Sequence, residues 1–167
     1  GATLGGNFYY DFDGSNDYLS FSQFDISSNN QLTVELWVNP DSSQVQYANM
    51  FDYGHDGSNG FTIQQNSNTT NTYYFYNSGV VSNTAITANT WTNICVTGNG
   101  TSFITYINGT QSSTGTAGSS ADTTGQTLNI GRWRGGSARY WNGQMAQVRI
   151  YSEALTAAEV LQNYNAT

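Results

Sequence analysis

Short runs of β-branched and aromatic residues recur along this chain about every ten positions, each closed by Gly, Asn, Asp or Ser, and that spacing suits an antiparallel sandwich. The runs cover residues 8–12, 18–21, 32–38, 49–53, 61–65, 72–76, 91–97, 103–107, 128–131 and 144–151. The stretches between them are too short and too polar to carry crossover helices, which disfavours a doubly wound parallel sheet. At 167 residues the chain can form one core that buries roughly 70% of its unfolded surface, so residues 1–167 are read as a single all-β domain.

Local signals refine this. In "YINGTQ", Asn108 and Gly109 lie between two strand-like segments, and Asn-Gly is the dipeptide that most readily takes the positive φ angles of a tight hairpin. "ALTAAEVLQNYN" is the helical signal: Thr156 and Glu159 make a capping box, and Leu155 and Val160 stand where a hydrophobic staple closes the first turn. In the last strand Met145 is out of phase with Val148 and Ile150, which a β-bulge near Ala146 would repair. The polar stretch from Ser112 to Gln126 reads as an exposed loop, and the echo of "DGSND" at 13–17 in "DGSNG" at 56–60 reads as two turns.

Charge narrows the partners. Lysine is absent, and four arginines against eleven acids leave a net charge of −7, which repels phosphate backbones and argues against nucleic acid. Solubility then rests on uncharged Asn, Ser, Thr and Gln, a pattern that suits an extracellular, cell-surface or virion-surface setting. No stretch approaches the roughly 20 apolar residues that span a bilayer, so membrane insertion is not expected. The sequence begins at Gly1 without a charged leader, as a mature product or excised module would. The single Cys95, in "WTNICVTG", excludes an internal disulfide and reads as a small buried hydrophobe. The sequons at Asn68, Asn99, Asn108 and Asn165 are no more than so many Asn, Ser and Thr produce by chance.

Catalytic patterns are sparse. A sandwich glycosidase needs two carboxylates roughly 5–10 Å apart across the scissile bond. Asp11 and Asp13 alternate in "YYDFDG" and share a face, but a strand end running into an Asp-Gly turn accounts for them equally. His55 in "DYGHDGSNG" has no G-x-S-x-G elbow to serve, and one His with one Cys makes no zinc site. No phosphate cradle is present. For calcium, "DFDGSND" offers Asp13 and Asp17 with Asp11 and Asn16, outside any EF-hand frame.

Aromatic residues carry more. A sugar's C–H face stacks on an exposed ring while neighbouring polar groups bond its hydroxyls. In "TYYFYN", Phe75 marks the core face, so Tyr74 and Tyr76 should point outward. "GRWRGGSARYWNG", residues 131–143, holds three of the four arginines and two of the four tryptophans. Its middle, Arg132 to Tyr140, is either a loop whose arginines pair with nearby acids or a grip for a ligand.

The segments "YDFDGSNDYLSF", "LTVELWVNP", "WTNICVTGNG", "FITYINGT", "LNIGRW" and "YWNGQMAQVRIYSEALTAAEV" resemble, in this order, laminin-G-like, concanavalin-A-like domains. The resemblance implies a two-sheet antiparallel jelly-roll sandwich with a short C-terminal helix, holding ligands on its concave face or rim loops. It implies core or packing roles for Trp37, Trp91 and Trp141 and structural roles for Arg149 and Tyr151. Relatives that bind calcium often carry an acid where this chain has Ala146, so the resemblance does not extend to that ligand.

The resulting expectation is a non-catalytic glycan-binding or adhesion module. Its candidate ligand-binding residues are Trp133, Arg134, Arg139, Tyr140, Tyr74, Tyr76, Tyr53 and His55, with Asp13 and Asp17 as candidate metal ligands. The rival reading is a structural or decoration domain that contacts other subunits of a virion or adhesin.

Overall fold

Leu32, Val34, Leu36 and Val38 alternate with Thr33, Glu35 and Trp37, and this period of two gives a central strand an apolar face on which a second sheet can pack. The computed structural model describes residues 3–4, 8–22, 31–54, 60–66, 71–77, 80–117, 125–135 and 139–167. In chain order the strands are β1 Thr3–Leu4, β2 Tyr10–Asp13, β3 Leu19–Phe21, β4 Leu32–Pro40, β5 Asn49–Tyr53, β6 Phe61–Gln65, β7 Thr72–Tyr76, β8 Val80–Ala85, β9 Thr92–Gly98, β10 Ser102–Ile107, β11 Thr110–Thr116, β12 Leu128–Ile130 and β13 Asn142–Tyr151. One helix, α1 Ala157–Asn165, follows.

The strands form two antiparallel sheets. One runs β1-β2-β13-β4-β9-β10-β11 and the other β3-β12-β5-β6-β7-β8. Between them lies a core that includes Val34, Leu36, Ile94, Val96 and Phe103 from the first sheet and Phe51, Phe61, Ile63, Tyr73 and Phe75 from the second. This is the expected jelly-roll sandwich.

The local expectations are met where the chemistry is local. Asn108 and Gly109 take φ angles of 48° and 73° and turn β10 into β11. Thr156 caps α1 in a full capping box with Glu159, and Leu155 and Val160 are buried in one cluster. The register of β13 against β4 shifts between Met145 and Gln147, and that bulge brings Met145, Val148 and Ile150 to the same core.

Two expectations need correction. Ser112–Thr116 is strand, the outer half of the β10–β11 hairpin, because an edge strand can be polar on both faces when only its backbone must pair. Residues 118–124 lie outside the described residues. Trp91 is not core: it is 36% exposed on the far side of the seven-stranded sheet, with Tyr9 at 5.9 Å between ring centroids. Trp37 is half-buried there and stacks on Tyr164 of α1, while Trp141 is fully buried.

The same outer face shows why α1 docks. Glu35 on β4 stands opposite Arg149 on β13, with Oε1 3.3 Å from the guanidinium, and also accepts hydrogen bonds from Asn93 and Asn163. Asn163 lies on α1 and donates to the Tyr151 hydroxyl as well, so the pair ties the helix to the sheet. Arg149→Leu should cost about 2 kcal/mol in denaturant unfolding. That is less than a fully buried pair loses, because the Arg149 side chain is 35% exposed. Adding Glu35→Gln to it should recover most of the loss.

Candidate functional site

Leu128 and Ile130 on β12, Phe51 and Tyr53 on β5, Phe61 and Ile63 on β6, and Tyr73 and Phe75 on β7 face the core. Alternation therefore turns Asn129, Asp52, Thr62, Gln64, Tyr74 and Tyr76 to the opposite side of the six-stranded sheet. Asn129, Asp52, Thr62 and Tyr76 are cross-strand neighbours in one row, and Asn49, Gln64 and Tyr74 in the next.

This polar face is not open to water. Asn49, Asp52 and Thr62 are 0% exposed and Asn129 1%, because the chain leaves the sheet after Gly131 and returns at Trp141, and residues 132–135 and 139–140 lie over it as an arch. The arch is closed at its feet. The Trp141 amide donates to the Gly131 carbonyl at 3.0 Å, and the Gly131 amide donates to the Met50 carbonyl at 3.0 Å. Gly131 holds φ +83°, and a Cβ there would meet the Phe12 ring at 2.5 Å, so glycine is required. Further along, the Asn49 amide donates to the Arg139 carbonyl and Asn49 bridges Tyr140.

Two arginines of this loop lie over aromatic rings. Arg132 lies 3.5 Å from the centroid of Tyr18, and Arg139 lies 4.4 Å from Trp133 and 4.9 Å from Tyr47. Neither forms an ion pair among the described residues; aromatic rings take the place of the expected acids. Arg132 Nε also donates to Asn129 and an Arg134 Nη to Gln126. Beside the arch a polar cleft of about 560 Å³ opens, lined by Ser20, Gly125, Gln126, Thr127, Asn129, Arg132, Arg134 and Gly135.

Asp52 lies beneath. The Arg134 backbone N–H reaches its carboxylate, while Asn49 Oδ1 and Trp133 Nε1 are buried and unpartnered. Burial pushes its carboxyl up to about 8, against the opposing pull of Arg134, Arg139 and Arg132. Burial also raises the Tyr74 hydroxyl, which accepts from Gln64.

Of the expected residues, the structure brings Trp133, Arg134, Arg139 and Tyr140 onto the arch, with Tyr74 and Tyr76 on the face that it shields. Tyr74 is only 7% exposed, so it serves as floor and not as open platform. Tyr53 departs from expectation: its ring packs edge-on against Phe61 in the core, fully buried, because its place in the alternation matches Phe51. His55 lies outside the described residues. Sequence reasoning missed Asp52, Asn49, Tyr47 and Tyr18. The available signal was that every outward position of β12, β5 and β6 is polar, which an ordinary buried sheet face would not be.

A family model described as the concanavalin A-like lectin/glucanases superfamily matches residues 13–161. The chain belongs to that superfamily. Among curated proteins none matches it in sequence. Among solved structures, a heptameric SAP-like pentraxin from Limulus polyphemus is 22% identical with a TM-score of 0.72, covering 92% of this chain and 79% of that one. The binding domain of Paraclostridial Mosquitocidal Protein 1 is 15% identical with a TM-score of 0.77, covering 99% of this chain and 45% of that one. A structure of botulinum neurotoxin type C, whose cell entry depends on two ganglioside molecules, has 15% identity, a TM-score of 0.73 and coverage of 99% and 44%. The chain therefore spans less than half of those toxin chains, and the likeness at these identities is one of fold.

Within this concanavalin A-like domain the candidate calcium ligands close their own turn. Asp13 Oδ1 accepts from the amides of Ser15 and Asn16, which lower its carboxyl below the usual carboxylate range, and Asp17 accepts from the Asp13 amide. Ala146 is exposed on the bulge, and no group of three or more acidic, His or Cys side chains gathers among the described residues. This donor set does not fit the six to eight oxygens that calcium takes.

The Asp52 carboxyl sets a pH dependence. An unfolded aspartate titrates near 3.8 and this one near 8, so between those values the folded state holds a proton that the unfolded state has lost, and stability falls as pH rises. Thermal melts of wild type and Asp52→Asn should nearly coincide at pH values near 4. The variant should become progressively the more stable towards pH values near 8.

Proposed function

We propose that this domain is a non-catalytic glycan-binding module acting outside the cell or at its surface. The observation that carries the reading is the arch: aromatic rings and arginine forks held at fixed geometry above a polar sheet face, beside an open cleft. Rings supply stacking area at low entropic cost, and guanidinium groups with an amide such as Gln126 supply directional bonds to hydroxyls. Superfamily membership and structural neighbours that include ganglioside-dependent toxin domains support recognition of surface carbohydrate.

Catalysis has little support here. Asp52 is the only carboxylate on the strands of this face, and it is sealed under the arch, so the second acid of a glycosidase pair is missing from those strands. Asp11 and Asp13 belong to the other sheet.

Glycan-array and calorimetric titration of the wild-type chain should give selective carbohydrate binding. Trp133→Ala should weaken it by about tenfold or more while far-UV and near-UV spectra stay native. A folded wild-type sample with flat signals across neutral and acidic glycans would overturn the reading. A chain found only as an obligate oligomer that binds no sugar would favour a subunit of a larger surface assembly instead.

A further inference from the structure

Three of the four cations of a chain with net charge −7 stand on one nine-residue arch, and the fourth, Arg149, is paired with Glu35 on the opposite side of the sandwich. Two of the three, Arg132 and Arg134, line the cleft, and no acid lines it among the described residues. Arg132 is fixed through Nε to Asn129 and by its plane on Tyr18, which leaves its Nη groups without a carboxylate partner. A guanidinium held by its inner edge and its face presents a preset donor pair, and such a fork matches the two oxygens of a carboxylate. Among the described residues Asp52 is the acid beside the arch, and it is buried away from the cleft surface.

Resting on the glycan-binding reading above, we infer that the cleft beside the arch selects glycans carrying an isolated carboxylate, with Arg132 as its charge partner. Ser20, Gln126 and Thr127 are then placed to bond the hydroxyls of the same sugar. An isolated acid is specified because the rest of the surface is negative. Fields are screened beyond about 8 Å at physiological ionic strength, so one acidic sugar meets only the local cations, whereas a dense polyanion is repelled elsewhere.

The test uses the whole chain and oligosaccharides ending in a single glucuronate, galacturonate or sialate, each compared with its methyl ester and with heparin. Wild type should bind at least one acid about tenfold or more tightly than its ester, an advantage that shrinks with added salt. Arg132→Gln should abolish the acid-over-ester difference, and Arg132→Lys should keep part of it. Equal affinity for acid and ester overturns the inference while leaving the glycan reading intact, as does heparin binding more tightly than every single-acid glycan. Absence of binding to any glycan by folded protein overturns both. The ester comparison on wild type reads the inference even if a substitution at Arg132 impairs folding.

Discussion

The buried indole of Trp141 is the contact on which the candidate site depends. It lies in the core, edge-on to Phe12 with centroids 5.8 Å apart, and its Nε1 donates to the Tyr73 hydroxyl at 3.3 Å. Phe12 belongs to one sheet and Tyr73 to the other, so a single side chain registers both layers. Its own backbone amide closes the arch onto Gly131. The feet of the arch are therefore fixed by core packing, in which side chains have few alternatives. Binding residues on a loop gain precision when the loop's ends are fixed by such a core.

The fold was legible wherever a rule acts over a few residues. The Asn108–Gly109 turn, the Thr156 capping box and the bulge at Ala146 each follow from neighbours in sequence, and each stands as expected. The site was legible only in composition. "GRWRGGSARYWNG" announced itself by its arginines and tryptophans, yet what those arginines touch depended on Tyr18 and Tyr47, which are remote in sequence. Ion pairing was the natural expectation in an acidic chain, but Arg132 and Arg139 lie over aromatic rings and form no ion pair among the described residues. Tyr53 and Trp91 were misplaced for a related reason: an amphipathic ring suits a core, a surface or a site, and only the packing of the second layer decides which.

A conflict runs through the six-stranded sheet. Its outer face is polar, as a solvated sheet face would be, yet it is buried as an inner face would be. Asn49 and Trp133 keep unpartnered polar atoms there and Asp52 is a buried carboxyl, each of which lowers stability relative to a satisfied or apolar replacement. Sequences retain such groups where a site needs polarity more than the fold needs the energy. On the other face of the sandwich, Glu35, Arg149, Asn163 and Tyr151 satisfy one another and fasten the helix. The two outer faces thus divide the labour, one for cohesion and one for the recognition proposed above.

The closed feet of the arch also bear on how this domain can diversify. Gly131 and Trp141 meet through one backbone hydrogen bond whatever lies between them, and the entropy of closing a loop grows only with the logarithm of its length. The chain between these feet can therefore change in length with only a small entropic effect on closing the loop. The arch is a replaceable cassette, and new specificities can be sampled there without re-solving the fold.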